Sequence, residues 1–173
     1  MASAEKDEKA AWAERIERLA RLVPGVGAYQ DREGLRDTDK RVRTYLTELL
    51  GNVGKALEPA QRRVVRDRRL EHLPALERIG RQIGTLADRV RFASYGFAGV
   101  FALHKIRERE LAQLHECDAR LMEEIPRLRS VIQAVADAAG HEDGFGGAAD
   151  AAEEALRHFE QTLDERDRMA RGL

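Results

Sequence analysis

The chain has little of what builds disulfide-linked domains, sheets or membrane spans. Among its 173 residues are one cysteine and four prolines, and aromatic residues make up only 5%. The single cysteine, Cys117, excludes an intrachain disulfide and fits a reducing compartment. No run rich in Val, Ile and Thr indicates a strand. The uncharged run at residues 92–103 is much shorter than the ~20 residues that cross a bilayer.

A strong excess of either charge is also missing. The formal net charge is −1 at pH 7, so the chain as a whole does not attract nucleic acid or an anionic membrane. Residues 1–9 lack the apolar core of a signal peptide, so we expect a cytoplasmic protein.

Helix-forming residues are abundant. Charged residues account for 35% and hydrophobic residues for 43% of the chain, with Arg, Glu, Ala and Leu dominant. Apolar residues recur three and four positions apart, as they do along one face of a helix. This pattern predicts an all-α fold, an elongated antiparallel bundle of about four or five helices with coiled-coil character.

Interruptions rich in glycine and proline divide the pattern into four parts. We predict an N-terminal amphipathic helix over residues 1–23 and a helical bundle core over residues 24–139. A Gly-rich loop follows at residues 140–147, and residues 148–173 form a C-terminal helix that packs on the bundle.

Each predicted helix has its own apolar stripe. The first carries Trp12, Ile16, Leu19 and Val23. The second has a heptad-like seam of Leu35, Val42, Leu46, Leu49, Val53, Leu57, Ala60 and Val64. The third has Leu76, Ile79, Ile83, Leu86 and Val90; the fourth has Leu111, Leu114, Leu121, Ile125, Leu128, Ile132 and Val135; the last has Leu156, Phe159 and Leu163. We expect Pro59 to bend the second helix, Pro74 to lie in the first turn of the third, and Pro126 to kink the fourth.

An aromatic and glycine-rich segment between the third and fourth helices is a candidate for a specific contact. Glycine there lets backbones approach closely or turn. We predict that this segment forms a helix–helix junction or a partner contact through Phe92, Tyr95, Gly96, Phe97, Gly99 and Phe101. Polar residues near the start of the second helix are expected to lie against it, namely Tyr29, Asp39, Lys40 and Arg43.

A second candidate is the run of five arginines between residues 61 and 69. Arg62, Arg66 and Arg69 would share one helical face, which could dock phosphate, an acidic lipid or an acidic partner helix. A solvated face at a helix end, where cations complement the helix dipole, accounts for the same residues. No aromatic platform accompanies the run, so we expect no nucleic-acid partner.

No set of residues indicates a catalytic centre or a cofactor. None of the five histidines follows Glu at the Glu-x-x-His spacing of di-iron bundles. His115 and His158 do have carboxylates nearby, which leaves a metal-binding bundle enzyme as an alternative. Cys117 lies on the apolar stripe of the fourth helix, so we expect a buried thiol and no nucleophile.

Three segments, residues 24–33, 35–43 and 88–101, carry a family resemblance. They resemble a family of small bacterial all-helical proteins with the patterns Pro-Gly-x-x-x-Tyr-x-x-x-Glu, Arg-x-x-Asp-Lys and Tyr-Gly-Tyr-Ala-Gly-Phe-Phe. The resemblance implies association with membrane-scaffold proteins of the SPFH/stomatin-like type, and it implies no reaction or catalytic residues. The chain departs from the pattern after Phe101, where Ala102 replaces an acidic residue.

The sequence therefore favours a non-enzymatic helical scaffold or adaptor that self-associates, as a homo-oligomer, or docks a protein partner. The first alternative is a peripheral membrane or membrane-scaffold-associated protein, which would use the first helix or the arginine-rich face. The second is the metal-binding bundle enzyme.

Overall fold

The computed structural model describes residues 10, 13–14, 17–26, 32–93, 108–141 and 143–172. Over these residues the fold is an all-α helical bundle without strands, as predicted. Its α-helices are α1 (Arg32–Lys55), α2 (Glu58–Arg66), α3 (Leu73–Phe92), α4 (Glu108–Ala138) and α5 (Phe145–Gly172), and a 3₁₀ helix (Leu70–His72) joins α2 to α3. No helix in this part of the chain is long and apolar enough to cross a bilayer.

The N-terminal helical segment ends where the sequence predicts. Residues 17–22 are helical, and Leu19 and Val23 of the predicted stripe are fully buried. Gly25 has a φ of 79°, a left-handed conformation that glycine adopts without steric cost, and lies in the turn that follows. Trp12 and Ile16 lie outside the described residues.

The second predicted helix is two helices, so the expectation of a single helix bent at Pro59 was wrong. The backbone N–H groups of Ala56 and Leu57 bond to the carbonyls three residues earlier, which tightens and ends α1. Pro59 then lies in the first turn of α2. A helix leaves its first N–H groups unbonded, so proline starts a new helix there at no hydrogen-bonding cost.

The seam of α1 and α2 is buried as predicted at all but one described position. The buried members are Val42, Leu46, Val53, Leu57, Ala60 and Val64. Leu49 is only partly buried, and its neighbour Leu50 is fully buried in its place. The side chain of Leu35 lies outside the described residues.

The apolar faces predicted for the later helices are confirmed. All stripe residues of α3 and α5 are buried, and so are those of α4 from Leu114 onward; the side chain of Leu111 is not among those described. Pro126 lies in the interior of α4 and does not end it. α5 begins at Phe145, inside the predicted Gly-rich loop, and not at residue 148.

The helices contribute to two compact units. The first unit comprises Met1–Leu46, Arg91–Glu123 and Thr162–Leu173, and the second comprises Thr47–Val90 and Glu124–Gln161. Buried apolar side chains of the first unit include Leu19, Leu46, Leu114, Leu121 and Leu163. Those of the second include Leu57, Ile79, Ile83, Ile132 and Phe159.

Arginine–glutamate pairs link helices within each unit. In the first unit, Arg18 donates hydrogen bonds to Glu116 and Glu123 of α4. In the second, Arg78 of α3 donates to Glu153 of α5 at 2.8 Å. These pairs lie at the surface, so each contributes at most about 1 kcal/mol, and apolar burial carries most of the stability.

Candidate functional site

The turn between α2 and α3 shapes the first candidate site. α2 ends at Arg66, and Arg68 then adopts a φ of 58°, which is uncommon for a residue other than glycine. This left-handed residue turns the chain into the 3₁₀ helix and so into α3. Pro74 lies in the first turn of α3, as predicted.

An open groove of about 480 Å³ lies between α2 and α3 in the second unit. Its lining consists of Gln61, Arg62, Val65 and Arg66 from α2 and of Leu73 and Glu77 from α3. Val64 points into the core, whereas its neighbour Val65 is 53% exposed and forms part of the groove wall. Leu70, in the 3₁₀ helix, is 56% exposed. We call the groove between α2 and α3 the arginine-rimmed groove.

Two arginines form the rim, and their charges are only loosely matched. The side chains of Arg62 and Arg66 are 71% and 74% exposed. Arg62 lies 3.6 Å from Glu58, one turn earlier, and Arg66 donates to Asp67 at 2.8 Å. The hydrogen bond from Arg66 holds the pKa of Asp67 below its usual value. Solvent screens both pairs, so neither arginine is fixed in place.

The third arginine of the predicted anion site is placed differently from the prediction. Arg69 lies beyond the end of α2, after the left-handed Arg68, and so it does not share a helical face with Arg62 and Arg66. The helix ends earlier than expected because the N–H groups of Asp67, Arg68 and Arg69 close the last turn with bonds back to α2 carbonyls.

Packing beneath the turn supports the groove. The ring of His72 stacks on Phe145 with centroids 4.0 Å apart, and its Nδ1 lies 3.2 Å from the carbonyl oxygen of Ala139. Arg63 packs close to Gly140. These contacts tie the α2–α3 turn to the α4–α5 connection, so the groove wall rests on buried structure.

A second candidate is a network of buried charges in the first unit. Arg166 of α5, only 2% exposed, donates from Nε to Asp118 of α4 at 2.5 Å and from Nη2 to Asp39 of α1 at 2.7 Å. Arg43 donates to the other oxygen of Asp39 at 2.8 Å. His115 Nδ1 lies 3.7 Å from Asp118. These five residues are called the buried ion network below.

The pKa values of Asp118 and Arg166 favour their ionised forms, although both side chains are buried. Burial by itself would raise the pKa of Asp118, but the attraction of Arg166 and the hydrogen bond that Arg166 donates hold that pKa below its usual value. Burial likewise opposes the charge of Arg166, and Asp118 and Asp39 hold its pKa above the ordinary range. Opposite charges therefore match each other across three helices, which suits a role in positioning helices.

The residues predicted around the junction are only partly described. Asp39 and Arg43 belong to the buried ion network, and Arg43 also donates to the carbonyl of Arg91, directly before Phe92, at 3.3 Å. Lys40 is exposed, and Phe92 is half-exposed beneath the Arg91 guanidinium. Tyr29, Tyr95, Gly96, Phe97, Gly99 and Phe101 lie outside the described residues.

The candidate metal ligands have ordinary partners. His115 belongs to the buried ion network, and His158 lies 3.1 Å from Glu124. Within the described residues, no group of three or more His, Cys, Asp or Glu side chains could hold a metal ion. Cys117 is a free, buried thiol, as predicted, and burial raises its pKa, although Arg120 acts against this.

Sequence reasoning missed the central members of both sites. Arg166 and Asp118 occupy positions on the apolar faces of their helices, each three residues from a leucine of the stripe, Leu163 and Leu121 respectively. A charge at such a position signals a buried ion pair. Val65 lies off the predicted seam, which takes Val64, but its part in a groove depends on where α3 lies beside α2.

The chain matches no protein-family model, no curated protein and no solved structure. The resemblance noted from the sequence therefore remains a prediction, and the function has to be inferred from the geometry of the two sites.

Proposed function

We propose that the protein is a non-enzymatic helical adaptor or scaffold that docks a protein partner on the arginine-rimmed groove. The observation that carries this proposal is the exposed apolar lining of the groove. Val65 in the groove lining is 53% exposed, and Leu70 in the adjoining 3₁₀ helix is 56% exposed, which makes them two of only three large apolar side chains exposed among the described residues. Apolar surface combined with arginine is typical of the energetic centre of protein interfaces.

The surroundings of the groove support docking rather than chemistry. Its lining provides two guanidiniums, one amide and one carboxylate. This set lacks the usual nucleophiles, Ser, Cys and Lys, and also the imidazole that most often serves as general base. The buried ion network consists of matched charges that hold helices together. Cys117 is free and buried, which fits a cytoplasmic location.

A photo-crosslinking amino acid at position 65 tests the proposal. We expect it to form a discrete adduct in cells, and the same group at Ser130, an exposed position of α4, to form none. The captured partner, once purified, should bind Val65→Glu at least about tenfold more weakly than the wild type. Ser130→Glu adds the same charge and should bind normally. Equal binding by both variants would refute the docking role of the groove.

Peripheral contact with an anionic membrane is a second candidate, because Val65 and Leu70 lie among arginines. Such a surface would bind vesicles that contain phosphatidylglycerol, and binding would weaken as salt screens the arginines. Flotation of the wild type and of Val65→Glu, at low and high salt, separates the two candidates. Flotation that Val65→Glu does not reduce would exclude the groove as a lipid contact.

A further inference from the structure

We infer that the docked partner presents an amphipathic helix with acidic residues beside its apolar face, an inference that rests on the proposed function. The groove is walled by two neighbouring helices, with Val65 of α2 and Leu73 of α3 as its apolar lining. Its volume of about 480 Å³ lies within the range of clefts that enclose a bound group. A helix that inserts side chains at positions i, i+4 and i+7 fits a concave apolar groove of this kind.

The charge around the groove selects for carboxylates. Five arginines and one aspartate lie between residues 61 and 70, in a chain whose net charge is −1, and the carboxylate of the lining, Glu77, lies 3.8 Å from Arg81. Arg62 and Arg66 stand on the rim, and their nearest acidic partners, Glu58 and Asp67, are exposed as well. Because exposed ion pairs are held weakly, both guanidiniums can exchange these partners for carboxylates of a docked helix. Arginine binds a carboxylate in bidentate geometry.

The spacing of the rim arginines predicts the spacing of the partner's acidic residues. Arg62 and Arg66 are four residues apart on α2, a rise of about 6 Å along the helix axis. Two acidic residues four positions apart on a second helix have the same separation. The partner is therefore expected to carry Asp or Glu at i and i+4, next to large apolar residues on the inserted face.

Other occupants fit the groove less well. In a two-fold symmetric dimer through this surface, each copy would present the same arginines, and like charges would face each other across the interface. A bilayer surface accepts protruding apolar side chains and leaves a concave groove unfilled. A partner helix provides both the protruding side chains and the opposite charge.

A library of stapled helical peptides with one randomised face tests this chemistry on the full-length protein. Peptides that bind Val65→Glu are removed first, and the wild type then selects from the remainder at about 50 mM salt. We expect the selected peptides to be enriched in large apolar residues on one face and in Asp or Glu beside it. Their affinity should fall about tenfold or more when salt is raised to about 300 mM, because salt screens exposed charges.

Charge reversal on the rim provides the matched control. The double variant Arg62→Glu with Arg66→Glu should bind the selected acidic peptides about tenfold or more weakly than the wild type does. It should bind more tightly than the wild type to versions of the peptides in which Lys replaces the acidic residues. Arg127→Glu with Arg129→Glu, at exposed positions of α4, changes the net charge by the same amount. This control pair should leave both affinities unchanged.

The outcomes separate the identity of the partner from the existence of the docking site. Selected peptides that depend on Val65 but are neutral or basic would overturn the acidic-helix inference and leave the docking role in place. Vesicle flotation that depends on Val65, with no peptide binding, would assign the surface to lipid. An oligomer that Val65→Glu dissociates would assign it to a second copy. If neither peptides nor crosslinks depend on Val65, the proposed function fails as well.

Discussion

Replacing Arg166 with methionine tests the energetic role of the buried ion network. The arginine is 2% exposed and bonds to Asp118 and Asp39, both of which are buried. Methionine fills much of the same volume but leaves these carboxylates without their shared cation. Removing one partner of a buried ion pair typically costs about 3–5 kcal/mol, because the remaining charge stays buried and uncompensated.

The two carboxylates are not affected equally. Asp39 keeps its 2.8 Å hydrogen bond from Arg43, so most of the cost arises at Asp118, which is completely buried. Domains of this size have free energies of unfolding of about 5–15 kcal/mol. Arg166→Met should therefore remove a large part of this free energy and still leave a measurable unfolding transition. Urea unfolding followed by circular dichroism at pH 7 measures the difference in the free energy of unfolding between the wild type and Arg166→Met, provided that the m-value is unchanged.

Two further variants make the result interpretable. Arg78→Met removes the arginine of the partly exposed pair with Glu153. It should lower the free energy of unfolding by no more than about 1 kcal/mol. Asp118→Asn in the Arg166→Met background removes the stranded charge and should restore much of the lost stability. The reasoning is refuted if Arg166→Met costs no more than Arg78→Met, or if the second substitution restores nothing.

Two more predictions concern pH and helix propensity. The pKa of Asp118 in the fold lies below its usual value, so its ionised form stabilises the fold above about pH 4 and this contribution is lost as the pH falls further. The free energies of unfolding of the wild type and of Asp118→Asn should therefore converge below about pH 4, and a constant difference in urea titrations from pH 7 to pH 3 would contradict this. A Cβ at Gly51 or Gly84 would meet nothing within 4 Å, so each alanine substitution should stabilise its helix by about 0.5–1 kcal/mol in thermal or urea unfolding. Gly25→Ala should have the opposite effect, because φ is 79° there and the added Cβ would lie 2.9 Å from Arg41 Nη1.

The helical faces were predictable because their periodicity is regular. In α3, steps of three and four residues place every apolar stripe residue within one narrow sector, and all of them are buried. The seam of α1 shows where this reasoning stops. At 100° of rotation per residue, Leu49 and Leu50 lie on opposite sides of the seam, and each is rotated by roughly 50° about the helix axis from the centre of the seam. The sequence of one helix cannot decide between them, since the choice depends on the neighbouring helices.

The candidate sites required information that one helix does not contain. Arg166 and Asp118 could have been flagged as charges on apolar faces, but their partners lie on other helices, and pairing them requires the packed structure. The groove depends on the break at Leu57 and on the left-handed Arg68, which together set α2 beside α3. Pro59 predicted a bend in one long helix, but the sequence did not show that the helix ends before Pro59 and that a second helix begins there.

The buried ion network limits the registers in which the first unit can pack. Stripes of leucine, valine and isoleucine fit one another in more than one register, because a slip of one helical turn brings another apolar residue into place. Arg166, Asp118 and Asp39 come from three helices and meet within hydrogen-bonding distance in the observed register. A slip of any of these helices would bury an unpaired charge at a cost of several kcal/mol, far more than the packing lost by exchanging one aliphatic side chain for another. If the network selects the register in this way, Arg166→Met with both carboxylates replaced by leucine should keep its stability and lose the uniqueness of its packing, which would appear as broadened amide signals in NMR spectra. Sharp, dispersed spectra from that variant would mean that apolar packing alone selects the register.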